Sequence, residues 1–379
     1  MKTEAVDQSL EYQAANGVEE IRYYENAIPE FVAEAMDDCY GALFSSVSYL
    51  RLAGKLSPST STYVARAHGA ICSIFLFERD GTVLRVLNGT IKTDQQEVGR
   101  FADYVFGSMP GIDRIFFPGV HMDKLRVGYP FQRFFAGEDI VVSFSGTAEE
   151  YTKKLGKSTQ KTLKRHVSQL NAAHPSTCYK IIRGNAIDAQ LIGLIAGWNR
   201  QRMVDKNKVS AYKDDDVERV IALTANGGMV GTIMTENLVR AGTVCCIVGS
   251  SFYLLMTGHD SEYNHFSVGT VCNYWTAMEC LRKKCKEINF MGGRVPHKYN
   301  LLGKSRRYDF LVIYRSRFAF LRNLKEVVET AMRGYATEAK YAILDCEHKD
   351  SKTAKLVARA LKKWRATRHQ HHDIARKAD

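Results

Sequence analysis

The sequence predicts a mixed α/β fold on a mixed sheet, and three observations carry that expectation. Strand-like runs alternate with helix-like runs in both halves of the chain. Three strand-like runs stand side by side before a helix that starts at Val268, a meander that a purely parallel sheet does not contain. The αβ order of the first half also recurs weakly in the second, while no repeat of about 20–50 residues marks a solenoid.

In the first half, Pro29–Asp38 reads as a helix. Strands follow at Thr62–Ala67, Ala70–Phe77 and Val83–Leu87, with Asp80-Gly81 as a hairpin turn. Asp94–Phe106 is a helix that places Val98, Phe101, Ala102 and Val105 on one face, and Arg114–Phe117 is a further strand. Asp139–Phe144 is an apolar strand at the join. Glu149 and Glu150 then suit the first turn of a basic helix, Tyr151–Leu170, whose inner face is Leu155, Leu163, Val167 and Leu170. The second half reads strand (Cys178–Ile182), helices (Ile187–Met203, Asp214–Ala225) and strands (Met229–Thr235, Val239–Val248, Phe252–Met256). A polar loop, Gly258–Ser267, leads into a helix over Val268–Cys285 with Val271, Tyr274, Trp275, Met278 and Leu281 on its apolar face. Strand Glu287–Met291, a loop over 292–307, strand Tyr308–Tyr314 and helices Phe318–Met332 and Thr353–Trp364 complete the chain.

At 379 residues the chain is long enough for two domains, and an apolar content of 45% supplies a core for them. The expected boundaries are 1–145, 146–335 and a basic helical tail over 336–379. Nine cysteines without a CxxC spacing read as reduced thiols, and no metal site is expected. The polar start Met1-Lys2-Thr3-Glu4 is not a signal peptide, and the most apolar run, Thr243–Met256, is shorter than the ~20 residues of a membrane span. A cytoplasmic location is therefore expected. The net charge of +12 is uneven: residues 1–40 hold ten acids against Lys2 and Arg22, whereas residues 349–379 hold ten Lys and Arg against three Asp. A basic surplus favours an anionic partner without choosing among phosphate-rich cofactors, RNA, sugars and lipids.

The most informative stretch is 257–303. Ser267-Val268-Gly269 is a small-residue turn that opens a helix, and the first N–H groups of a helix point at whatever lies before them, which suits a phosphate. Before it stands His259-Asp260. After it come Asn289-Phe290, Gly292 or Gly293, His297-Lys298 and Gly303. In order and spacing this resembles the GNAT-superfamily branch of the CelD-type (cellulose biosynthesis) acetyltransferases and FemAB-like aminoacyl transferases. That family's segment runs Tyr-Asp, Ser-Pro-Gly, helix, Asp-Phe, Gly, Tyr-Lys, Gly. Four positions depart from it: His259 stands for Tyr, Val268 for Pro, Asn289 for Asp and His297 for Tyr. The match covers about 150 residues, from Tyr151 to Tyr314.

The resemblance implies tandem GNAT-like folds, the C-terminal one better matched, and transfer of an acyl group from acyl-CoA to a primary amine, small or sugar-linked. It places the donor's phosphates at Ser267, Val268, Gly269 and Thr270. His259, Asp260 and Lys298 become the catalytic candidates, with His297, Tyr299 and Tyr253 as substrate contacts. Such chemistry needs an aligned thioester, a donor for the oxyanion and an acceptor for the amine's proton. Two alternatives stand beside it. A FemAB-like enzyme would take its group from an aminoacyl-tRNA gripped by the basic helix and tail, and a carrier-protein donor belongs to the same class. A non-enzymatic scaffold would merely bind a partner.

Other signals fall away. Leu302-Gly303-Lys304-Ser305 ends like a phosphate-binding loop, but Lys298 stands where its first glycine belongs. Ser158-Thr159-Gln160-Lys161 has the spacing of a penicillin-binding motif yet lies inside a lysine-rich helix.

Overall fold

The computed structural model describes residues 8–10, 20–144, 146–206, 210, 212–225 and 227–347. The helix expected over Thr353–Trp364, with most of the basic tail, lies outside the described residues. The first half contains β1 (Gln8–Leu10), β2 (Glu20–Tyr24), α1 (Phe31–Tyr40), α2 (Val47–Leu52), β3 (Ser61–Ala67), β4 (Ala70–Asp80), β5 (Val83–Val86), β6 (Ile91–Lys92), α3 (Gln95–Ser108), β7 (Arg114–His121) and β8 (Phe131–Ser143). The second contains α4 (Ala148–Lys154), α5 (Lys157–Ala173), β9 (Cys178–Arg183), α6 (Ala189–Asp205), α7 (Asp214–Ala225), β10 (Met229–Thr235), β11 (Leu238–Val248), β12 (Ser251–His259), α8 (Val268–Arg282), β13 (Glu287–Asn289), α9 (Pro296–Asn300), β14 (Lys304–Tyr314), α10 (Arg317–Arg322) and α11 (Leu324–Glu347).

All these strands join one mixed sheet in the order β1-β2-β3-β4-β5-β7-β14-β8-β13-β12-β11-β10-β9, with β6 beside β7. The same unit occurs twice. An antiparallel meander (β3-β4-β5, then β10-β11-β12) is followed by a helix (α3, then α8) and by a strand parallel to the meander's last one. The middle of the sheet is shared: β8 pairs with β13 and β14, and β14 pairs with β7. No helix among the described residues is long and apolar enough to cross a membrane.

Each unit has its own core. In the first, Phe101 of α3 is fully buried among the rings of Tyr63 (4.9 Å) and Phe75 (4.7 Å) from the sheet. In the second, α8 lies between the sheet and α4–α5, so its burial extends past the expected stripe to Val268, Cys272, Asn273, Thr276, Ala277 and Cys280. Helix α4 opens on a capping box formed by Thr147 and Glu150. The single basic helix expected over Tyr151–Leu170 is interrupted, because Leu155 and Gly156 take extended ψ angles of 143° and 142° between α4 and α5. Lys153, Lys154, Lys157, Lys161, Lys164 and Arg165 are all exposed, while Leu155, Leu163 and Leu170 are buried.

Candidate active site

Strands β12 and β13 run parallel but touch only over Ser251–Glu287, Phe252–Ile288 and Tyr253–Asn289. Two local features then drive them apart. On β12, Val244 pairs with Met256 and Cys245 with Leu254, so Leu255 is an extra, bulged residue, and a bulge bends its strand. The Leu255 carbonyl accepts the Tyr212 hydroxyl. On the other side β13 ends at Asn289, and Met291 turns the chain with a left-handed φ of +61°. The opened gap is a cavity of about 590 Å³ lined by β12, the first turn of α8, the C-terminal end of α6 and the segment 290–298.

Helix α8 enters this cavity with an open N-terminus. Ser267 sits at its cap position in the left-handed region (φ +51°), and its side chain caps nothing. Its carbonyl takes the N–H groups of Thr270 (2.9 Å) and Val271 (3.1 Å), and its own N–H bonds to Asn264. Of the first two residues of the helix, Gly269 lines the cavity and Val268 does not, and the first N–H groups of a helix suit an anion. Gly269 is required by a close approach: a Cβ there would stand 2.7 Å from Nδ1 of His259. Asn273 pins α8 to the sheet, because its Oδ1 accepts the hydroxyls of Thr243 and Thr257, each at 2.7 Å.

Of the expected residues, Ser267, Gly269, Thr270, His259, His297 and Lys298 line this one cavity. Val268 is fully buried and is not part of the cavity lining. His259 places Nε2 2.8 Å from Oδ1 of Asn264 and buries Nδ1 against Gly269 without a hydrogen-bond partner among the described residues. Burial lowers its pKa, and the cations of Arg202 and Lys206 add to the effect against the Asn264 hydrogen bond and Asp260. Burial, with Lys298, Arg202 and Lys206, lowers His297 further, to about 4. Lys298 donates to the carbonyls of Met291 (3.1 Å) and Gly292 (2.6 Å), and burial brings its pKa down to about 8 against the opposing charge of Asp139.

Three more of the expected residues stand apart from the cavity lining. Asp260 does not line the cavity: it caps the 3₁₀ turn Ser261–Phe266 by accepting from the Glu262 N–H (3.1 Å), and it pairs with Arg240 at 3.0 Å. Tyr253 is 5% exposed and donates its hydroxyl to the Gly41 carbonyl of the first half at 2.8 Å, so it joins the two halves. Tyr299 is exposed and is not part of the cavity lining.

The sequence reading missed Asn199, Arg202 and Lys206. Asn199 and Arg202 stand at i and i+3 on α6 and Lys206 caps its C-terminus, and all three line the cavity. Arg202 buries its Nε without a hydrogen-bond partner among the described residues, and burial lowers its pKa. Arg202, Lys206 and Lys298 against Asp205, together with an open helix start, make the cavity electropositive. Among the described residues no group of three or more His, Cys, Asp or Glu side chains is placed to hold a metal ion.

A helix start opening on the gap between two separating parallel strands, in a unit that occurs twice, defines a tandem GNAT-like fold. Residues 157–299 match the acetyltransferase (GNAT) domain, so the chain carries a transferase domain of the GNAT type. The crystal structure of FemX is similar, with a TM-score of 0.52 and 9% identity over 75% of this chain and 96% of that one. A conserved protein of unknown function from Bacteroides thetaiotaomicron aligns at a TM-score of 0.49 with 14% identity, over 75% of this chain and 96% of that one. A tandem GNAT protein from the clavulanic acid biosynthesis pathway aligns at 0.38 with 11% identity, over 78% of this chain and 99% of that one. No curated protein matches the sequence.

Proposed function

We propose that the chain is an N-acyltransferase that takes an acyl group from acyl-CoA and delivers it to a primary amine. The observation that carries this reading is the open N-terminus of α8 in a cavity whose cations outnumber its acid. The residues fit a pyrophosphate. Gly269 lines the cavity at the first turn of α8, the Ser267 side chain does not cap that helix, and the half-buried Arg202 lines the same cavity. When bound, acyl-CoA supplies the activated acyl group. The gap beyond Tyr253 holds the reacting ends together, and the bulged Leu255 backbone and the Lys298 ammonium are the donors for negative charge. The imidazoles of His259 and His297 are the proton acceptors in the cavity. An amino sugar or polysaccharide precursor as acceptor, as in the cellulose-locus enzymes that the sequence resembles, and a cytoplasmic location, where CoA is present, complete the reading.

Calorimetric titration with CoA and acetyl-CoA tests it. Micromolar binding is expected, weakened about tenfold in Arg202→Gln, since a charge-assisted hydrogen bond contributes about 1.5–3 kcal/mol. Absence of binding at every salt concentration rejects the CoA donor. The exposed basic face of α5 favours the second reading, an aminoacyl-tRNA donor. It would show as RNA binding that falls steeply with salt and is lost in Lys161→Glu/Lys164→Glu.

A further inference from the structure

Lys298 reaches the cavity from α9, and the two carbonyls that receive its ammonium carry no charge of their own. Asn289 places those carbonyls. Its Oδ1 accepts the Met291 N–H at 2.6 Å, which holds the left-handed turn, and its Nδ2 donates to Oδ2 of Asp139 at 2.9 Å. Asp139 is 6% exposed on β8, a strand that comes from the first half of the chain. The segment after Asn289 passes close over it: a Cβ on Gly292 would lie 3.3 Å from the Glu138 carbonyl and 4.0 Å from Oδ1 of Asp139.

The charges around this point are divided unequally. Glu138 is occupied by Arg294, with Nη2 at 2.8 Å, and by the Ser305 hydroxyl. Arg306 of β14 is held bidentately by Glu287, with Nη1 at 2.7 Å from Oε2. Lys298 of α9 and Asp139 of β8 form no direct ion pair among the described residues, and the link between them runs through Asn289 and the Met291 and Gly292 carbonyls.

We propose that Asp139, acting through Asn289 and the Met291 and Gly292 carbonyls, is the positioning residue that keeps the Lys298 ammonium charged and directed into the cavity. The inference rests on Lys298 being the anion contact of the acyltransfer reading. It also accounts for a departure in the sequence: where the resembled family ends this strand in Asp-Phe, the chain has Asn289-Phe290, and the carboxylate comes from the neighbouring strand instead. The electrostatics agree. Asp139 opposes the fall in Lys298's pKa, and Asn289, Lys298 and Arg306 oppose the rise that burial and Glu138 impose on Asp139.

The test reads the lysine itself. Acylation of Lys298 in the full-length protein by acetic anhydride is followed against pH by peptide mass spectrometry. The wild-type inflection is expected near pH 8. In Asp139→Asn it moves down by about one pH unit, the ordinary effect of losing a nearby opposite charge. Asp139→Asn/Asn289→Asp, which carries the carboxylate across the same hydrogen bond, moves it back. A folded Asp139→Asn with an unchanged inflection, or a shift that the relocated carboxylate does not reverse, overturns the assignment. If Asp139→Asn does not fold, Asn289→Ala breaks the same link and must lower the inflection, and no change there overturns it equally. The measurement needs no ligand, so failure of CoA to bind and failure of this inference are separate results.

Discussion

Asp37, near the end of α1, buries Oδ1 without a hydrogen-bond partner among the described residues. Burial and the neighbouring Asp38 raise its pKa to about 6, from 3.8. The folded state therefore holds this proton more tightly than the unfolded chain does. Stability falls as pH rises from about 4 to about 6 and stays reduced above that. Asp37→Asn is expected to stabilise the protein by about 1 kcal/mol at pH 7, with the gain vanishing near pH 4. Urea unfolding at the two pH values checks this, and equal stability of variant and wild type at pH 7 would contradict it. The candidate site was unevenly legible at this scale. His259, Lys298 and the Ser267–Thr270 turn lie where the order of motifs puts them. Asp260 and Tyr253 do not, because adjacency in sequence cannot tell a cavity-lining side chain from a cap or an inter-half contact.

At the scale of elements, α3 and α8 occupy equivalent places in the two repeated units but begin differently. Asp94 closes the start of α3 with its own carboxylate, accepting the N–H groups of Gln96 (2.8 Å) and Glu97 (3.0 Å). At α8 the corresponding place is left to Ser267, whose side chain does not cap. The first unit thus satisfies its helix start with a side chain, while the second leaves its start without a side-chain cap. Asp94→Ala is expected to cost about 1 kcal/mol of stability and to leave CoA affinity unchanged. Denaturant unfolding alongside calorimetry measures both, and a change in CoA affinity would show that the first unit takes part in binding. Most elements were legible because burial of one face imposes a period of 2 or 3.6 on the apolar residues. The short pieces β2, β6 and α2 were not, since two to six residues carry no period. Strand β8 was expected only from Asp139, but pairing with β14 extends it back to Phe131 through a stretch without a continuous apolar run.

At the scale of the molecule, the exchange of β8 and β14 ties the halves together. A fragment of residues 1–145 lacks β14, the partner of β7, whose Ile115, Phe117 and Val120 are fully buried. A fragment starting at 146 lacks β8, the neighbour of both β13 and β14. Neither fragment is expected to give a dispersed amide NMR spectrum alone, whereas the full chain is, because only there do β7, β13 and β14 have all their sheet neighbours. A dispersed spectrum from residues 1–145 would show an independently folding domain. The sequence by itself determined the mixed α/β class, the repeated order of elements and the small-residue turn that starts α8, because each follows from residues close together in the chain. Only the tertiary structure decided that Leu255 bulges, that Arg202 lines the cavity and that Asp139 accepts the Asn289 side-chain amide. Asp139 and Asn289 are 150 residues apart, and what joins them is the register of β8 on β13, which packing across the whole sheet sets and no local pattern encodes.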